Sequence, residues 1–181
     1  MNCWKTFNIG KDFGTIRLNV LSLMGMIIFF IVYYLLFIDL THVERLSSFN
    51  PIIFLITIIF ILPVHKLIHC LSARVVGKKA TLSFGWFNYE IIPSIHCNIP
   101  GTLSKRRSLL VIASPAVVIT LGMVILTIVY PQHLHYFSLI SAINFGISIS
   151  DFVYLNNLIK APANAFIEDG PDGCRILVKQ S

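Results

Sequence analysis

Charge is what this sequence most conspicuously lacks. Only 12% of its 181 residues are Asp, Glu, Lys or Arg, and 56% are hydrophobic, whereas a soluble domain is about a quarter charged. The mean hydropathy is +0.80. These values exclude an ordinary soluble domain, and we interpret the chain as a membrane protein with most of its length in the bilayer.

Several functional signatures are also missing. The chain has no glycine-rich phosphate loop, no array of basic and aromatic residues and no internal repeat. The formal net charge of +6 therefore needs no nucleic acid to explain it, because basic loops beside anionic lipid account for it. We expect membrane lipids as partners, together with another membrane protein or a peptide substrate, and no nucleic acid.

Cysteines are few and none forms a C-x-x-C pair. The topology described below places all of them at or near the cytoplasmic side. We therefore expect reduced thiols and no disulfide. The four residues are Cys3, Cys70, Cys97 and Cys174.

Long apolar runs are what the chain does have. A spanning helix needs about 20 apolar residues, and four segments satisfy this: 19–38, 51–71, 108–130 and 136–159. We predict an all-α membrane protein with four transmembrane helices in a single membrane domain, 1–181. The loop 72–107 and the tail 160–181 are too polar to span.

The basic residues orient these spans. Three precede the first span, six lie between the second and third, and three follow the fourth, whereas the opposite side carries only Arg45. Basic residues collect on the cytoplasmic side of a membrane. The pattern predicts a multi-pass protein of the cell membrane with both termini in the cytoplasm.

Two segments outside the spans favour β structure. The segment 80–92 is rich in Thr, Phe, Trp, Tyr and Ile, which predicts a small cytoplasmic β-hairpin-like insertion. The tail carries turn signals and then the run 175–178, which predicts one short strand.

A histidine pair lies inside the second span. His65 and His69 are four residues apart, and two histidines at this spacing on a helix form half of a zinc site. A zinc peptidase of this pattern needs a glutamate directly after the first histidine, as general base. Lys66 stands at that position, so no catalytic residue is assigned.

The only acid within the apolar spans is Asp151, in the fourth span. It lies about 12 Å from the cytoplasmic end of its span, and His65 lies about 9 Å from the end of its own, at 1.5 Å per residue. Ionisable groups in a span are expensive and are functional candidates by default. Their similar depth predicts a zinc site with His65, His69 and Asp151 as ligands and a fourth position open.

A polar face surrounds this acid. Ser141, Asn144, Ser148 and Asp151 recur at helical spacing in the fourth span, so they share one side of the helix. That side should point into the bundle. Asn144 and Ser148 would lie close enough to support the metal ligands by hydrogen bonds.

Other interpretations remain open from the residues alone. A Lys66 ammonium beside Asp151 would form an intramembrane ion pair without any metal. His96 and Cys97 are also metal-ligand types, but in a loop, where an ordinary structural role is the default. Glu90 is the only acid in that loop and the one available substitute base.

Taken together, these residues resemble a bacterial membrane family known as the putative zincin peptidases, which is similar in outline to the site-2 proteases. The resemblance covers about 51–178 and rests on HKLIH, on His96 with the basic run 105–107, and on N-x-x-x-S-x-x-D. It implies that His65, His69 and Asp151 hold zinc. The family's catalytic glutamate falls on Lys66, and there the match fails. The stretch 144–151 also departs from the N-x-x-P-x-x-x-x-D-G-like pattern common in site-2 proteases, because it has neither that proline nor the glycine after the aspartate.

Three functions follow as hypotheses. The first is a catalytically impaired pseudopeptidase that keeps the zinc site. The second is an active intramembrane metallopeptidase that uses an unusual base such as Glu90. The third is an ion- or proton-binding membrane protein built on a Lys66–Asp151 pair.

Overall fold

Helices dominate the computed structural model, which describes residues 2–43, 45–85, 94–170 and 173–178. Each of four long helices is apolar enough to cross a membrane, which confirms the four predicted apolar segments. The helices are α1 Thr15–Thr41, α2 Pro51–Val75, α3 Lys105–Val129 and α4 Leu134–Lys160. Most extend beyond the predicted spans, because backbone hydrogen bonding continues past the apolar residues.

The start of α2 is fixed by local chemistry. Pro51 is its first residue, a position where the missing N–H costs nothing. The Asn50 side-chain oxygen accepts hydrogen bonds from the backbone N–H groups of Ile52 and Ile53 at 2.9 and 3.4 Å, as an N-cap does. The helix then continues through Pro63 to Val75.

The chain divides into two compact units, and all four boundaries between them fall inside helices. One unit, here the sheet unit, comprises Met1–Arg17, Lys66–Ser114 and Ser150–Ser181. The other, the helical unit, comprises Leu18–His65 and Pro115–Ile149. Each of the four long helices contributes to both units. The single membrane domain stays a prediction.

The helical unit is held by aromatic and small residues. Tyr33 and Phe37 of α1 are buried with Leu134, and the Tyr33 hydroxyl lies 2.8 Å from the Thr127 hydroxyl. A Cβ added at Gly146 would lie 3.1 Å from the Ser22 carbonyl oxygen, so glycine permits the close approach of two helices. Most large apolar side chains of α1 remain exposed, as lipid contact requires.

The sheet unit contains a four-stranded antiparallel sheet in the order β1-β6-β5-β4. Its strands are β1 Asn2–Phe7, β4 Thr102–Ser104, β5 Ala165–Gly170 and β6 Gly173–Val178. The sequence predicted only the last of these, at 175–178. Gly173 has φ +117°, and a Cβ there would lie 2.5 Å from the Phe7 carbonyl oxygen, so β1 can pair beside this turn only because the residue is glycine.

The predicted hairpin exists with a different second strand. Strand β2 Thr81–Gly85 pairs antiparallel with β3 Ser94–Asn98, so the second strand begins after the predicted segment 80–92 ends. The residues between them lie outside the described ranges. The all-α class is therefore too narrow, since two small antiparallel sheets accompany the helices.

A lysine joins α4 to the start of α3. Lys105 donates hydrogen bonds from Nζ to the backbone carbonyls of Ile159 and Ala161 at 2.8 and 2.6 Å. Carbonyls at a helix C-terminus have no partner within the helix. Lys105 therefore caps the C-terminus of α4, the helix that carries Asp151.

Candidate metal centre

The two histidines of α2 are both buried, and so is Asp151 of α4. His65 is 1% exposed. One helical turn separates the two rings, which puts them on the same side of α2. The structure brings the three predicted ligands together: ligand atoms of His65, His69 and Asp151 all lie within 4.8 Å of one another.

The distance between two of these ligands suits zinc. His69 Nε2 lies 3.3 Å from Asp151 Oδ2. Zinc bound tetrahedrally at about 2.0–2.1 Å holds neighbouring ligand atoms roughly 3.3 Å apart. A charge-assisted hydrogen bond would more commonly measure about 2.7–2.9 Å.

The hydrogen bond made by the other ring nitrogen of His69 determines whether Nε2 carries a proton or a lone pair. Nδ1 lies 3.0 Å from the Val111 carbonyl oxygen, which can only accept, so Nδ1 carries the proton and donates. In the neutral ring Nε2 is then a lone pair facing a carboxylate. Two acceptors at this distance are stabilised by a cation between them, either an added proton or a metal ion.

Pro115 explains why the Val111 carbonyl is available. In an uninterrupted α-helix the N–H four residues later would bond to it, but residue 115 is proline and has no N–H. The carbonyl instead accepts from His69 and from the Ser114 hydroxyl, the latter at 2.8 Å. A helix irregularity in α3 therefore orients a ring in α2.

His65 is anchored in the same way by a side chain. Its Nδ1 lies 2.9 Å from Asn144 Oδ1, so it donates and leaves Nε2 available as a ligand. The Asn144 amide is itself fixed, because Nδ2 donates to the Pro115 carbonyl at 3.3 Å. Histidines that bind metal commonly donate their second ring N–H to an oxygen in this manner.

The polar face of α4 is buried as predicted: Ser141, Asn144, Ser148 and Asp151 all lie inside the protein. Asn144 contacts a candidate ligand directly. Ser148 instead donates to the Asn144 carbonyl of its own helix at 2.8 Å. Ser148 therefore supports the helix that carries Asn144, and the structure gives it no contact with the ligands.

A cavity of about 380 Å³ adjoins the carboxylate within the sheet unit. Its lining includes His69 and Asp151, the half-buried Lys66, and the side chains of Ser108 and Tyr154. Among the described residues that line it, Asp151 is the only acid. A ligand held there would contact the candidate metal centre.

Comparison with known proteins assigns a family. A family model described as "putative zincin peptidase" matches residues 58–166, which include all three candidate ligands. The chain belongs to this family. No curated protein and no solved structure proved similar.

Lys66 sets this zincin-family chain apart from the HExxH pattern, in which a glutamate follows the first histidine. Its side chain lines the cavity, so it does not simply point away into lipid. The structure shows no ion pair between Lys66 and Asp151, both of which are described. The carboxylate lies instead beside His69, with Asp151 Oδ2 3.3 Å from His69 Nε2.

The remaining sequence candidates contribute less. Cys97 lines the cavity, but the side chain of His96 and the whole of Glu90 lie outside the described residues, so the substitute base stays a hypothesis. Cys70, next to His69, packs in a core cluster with Ala73, Ala80 and Val111.

Sequence reasoning missed two groups at this site. The Val111 carbonyl has no side-chain signature, although a proline four residues later marks it as a free acceptor. The sequence predicts for residue 108 only that a span begins there, whereas Ser108 also lines the cavity. A hydroxyl at a helix start beside basic residues is a weak signal by itself.

Proposed function

We propose that this chain is a zinc-binding, multi-pass membrane protein of the zincin type whose peptidase activity is lost or strongly impaired. The observation that carries the proposal is the anchored ligand set. His65 and His69 both donate through Nδ1 to oxygen acceptors and offer Nε2 close to the Asp151 carboxylate. This donor set, with one position left for another ligand, is typical of zinc.

Zinc bound there would supply Lewis acidity toward a carbonyl oxygen. The chain's own residues would hold the ligands in place: Val111 and Asn144 fix the two rings, and Lys105 fixes the end of α4. These contacts preorganise the site without any contribution from a base.

The base is what we propose to be missing. Lys66 replaces the glutamate of HExxH, and an ammonium group has no lone pair with which to take a proton. No described residue lining the cavity, apart from Asp151 itself, is a carboxylate. Loss of a general base removes about 10²–10⁴-fold of rate, which supports an impaired enzyme over an active one.

Metal analysis of the purified protein tests the zinc proposal. We expect about one zinc per chain in the wild type and none in Asp151→Ala. Asp39→Ala is the matched control, since it removes an exposed acid near the end of α1 and should keep zinc. Zinc-free wild-type protein, or full zinc in Asp151→Ala, would refute the proposal.

The membrane orientation belongs to the same proposal. Basic residues collect in the three segments that the proposed topology puts on one side, before residue 19, between 71 and 108, and after 159, which favours both termini in the cytoplasm of a cell. Single-cysteine labelling of intact cells tests this. Labels at residue 45 should react from outside, and labels at residue 160 only after the membrane is permeabilised.

A further inference from the structure

The cavity in the sheet unit carries a cation that has no ion-pair partner among the described residues: Lys66 lines the cavity and pairs with none of them. Asp151, the only described acid of the lining, lies 3.3 Å from His69 Nε2 and is one of the proposed zinc ligands. A cation in a partly buried cavity is stabilised by a ligand that brings an anion.

Ser108 provides a second, independent indication that the cavity binds a ligand. It lies in the first turn and a half of α3 and is only 2% exposed, yet its hydroxyl has no hydrogen-bond partner. Buried hydroxyls are almost always hydrogen-bonded. Because Ser108 lines the same cavity, an acceptor on a ligand would satisfy it.

Apolar side chains form another part of the cavity wall. Ile99, Leu103, Ile112 and Ile167 contribute to its lining. Its volume of about 380 Å³ lies within the range of small-molecule pockets, roughly 300–1,000 Å³. The cavity therefore offers a cation and a hydroxyl donor to an anionic group, and apolar side chains to the group attached to it.

We propose that this cavity binds the C-terminal carboxylate of a peptide whose last side chain is apolar. Lys66 would pair with the carboxylate, and Ser108 would donate a hydrogen bond to it. The inference rests on the proposed zincin-type function and deepens it, because it names the kind of peptide that the site would bind. It also gives the lysine a role of its own.

Matched peptides test the proposal on the full-length protein in detergent. The probes are acetyl-Ala-Ala-Leu with a free carboxylate and the same peptide as its C-terminal amide, measured by isothermal titration calorimetry. We expect the acid to bind at least about tenfold more tightly than the amide, since hydrogen bonds to charged groups contribute more than neutral ones.

Variants assign that preference to residues. Lys66→Met should abolish the preference for the acid, Lys66→Arg should keep it, and Ser108→Ala should weaken binding of the acid severalfold. Lys160→Met is the matched control, because this lysine is exposed at the end of α4 and does not line the cavity. Zinc content is measured on every sample, so a variant that fails to fold is recognised by its lost metal, and Lys66→Arg then carries the comparison.

The outcomes separate the two proposals. Equal affinity for acid and amide, no binding of either peptide, or a preference unchanged in Lys66→Met would overturn the carboxylate site, even in protein that holds zinc. A clear acid preference in zinc-free wild-type protein would support the carboxylate site and refute the zinc proposal. Decanoate serves as a lipid probe: if it binds and neither peptide does, the peptide assignment is wrong.

Discussion

The chain contains two close pairs of histidines, and only one of these pairs belongs to a candidate metal centre among the described residues. His65 and His69 lie one helical turn apart, and each ring is oriented by an oxygen acceptor. His133 and His135 are two residues apart, at the start of the last helix. His133 Nδ1 lies 2.8 Å from the Ser47 hydroxyl, but both ring nitrogens of the half-buried His135 have no hydrogen-bond partner.

The difference between these two pairs shows what two imidazoles need in order to form part of a metal site. The His135 ring packs against Tyr136, with ring centroids 4.2 Å apart, so it behaves as an aromatic side chain. Among the described residues, a group of three metal-ligand types forms only around the first pair. The spacing of two histidines can place both rings on one face of a helix. Metal binding further requires that each ring is held by a hydrogen bond in the tautomer that leaves a nitrogen lone pair available, and that an acid lies nearby.

The largest effect should come from removing a ligand. We expect His69→Ala to lose zinc completely, because only two ligands remain. His135→Ala should keep about one zinc per chain, measured by elemental analysis of both purified variants. If the two variants retain equal metal, the distinction between the pairs is wrong.

Introducing a carboxylate at residue 66 should restore catalysis at the first histidine pair and so distinguish it further from the second pair. We expect Lys66→Glu to raise hydrolysis of a model transmembrane peptide by about 10²–10⁴-fold over wild type, measured by gel or mass spectrometry. The gain should vanish when Asp151→Ala is added. Lys66→Gln is the control, and a similar gain there would show that removing the cation, rather than adding a base, is what matters.

Weakening an anchor should have a smaller effect than removing a ligand. Asn144→Leu leaves His65 Nδ1 without its acceptor, and loss of such partners typically lowers metal affinity about 10–100-fold. Competition against a zinc chelator measures this. Ser148→Ala should leave the affinity nearly unchanged, because its hydroxyl bonds only to its own helix.

The smallest effect should come from the backbone. Pro115→Ala returns an N–H that competes with His69 for the Val111 carbonyl, so we expect zinc affinity to fall by about tenfold or less. Pro63→Ala, in α2, should leave the affinity unchanged. The same chelator competition compares the two, and a larger loss in Pro63→Ala would contradict the role given to Pro115.

Much of the fold was readable from the sequence because its signals are local. Hydropathy alone locates four long helices, and helical spacing places four polar residues of α4 on one buried face. The candidate ligands followed from spacing together with depth. Each of these signals is contained within a single helix, and only the matching depths of two helices had to be compared.

The remainder depends on distant partners or on the backbone. Strand β1, NCWKTF, is too short to be predicted by itself and is ordered by pairing with β6. The acceptor for His69 is a main-chain carbonyl, which every residue possesses. The unsatisfied hydroxyl of Ser108 becomes visible only when the cavity beside it is seen.

The β1–β6 pairing also determines when the sheet can be completed during synthesis of the chain. Phe7 pairs with Cys174, and at about 5–20 residues per second the ribosome needs roughly 10–30 s to synthesise the chain between them. Throughout that interval β1 exists without the strand it pairs with, while the helices between them are already being inserted. The sheet that carries part of the cavity wall is therefore completed last, after the ligand-bearing helices have been made.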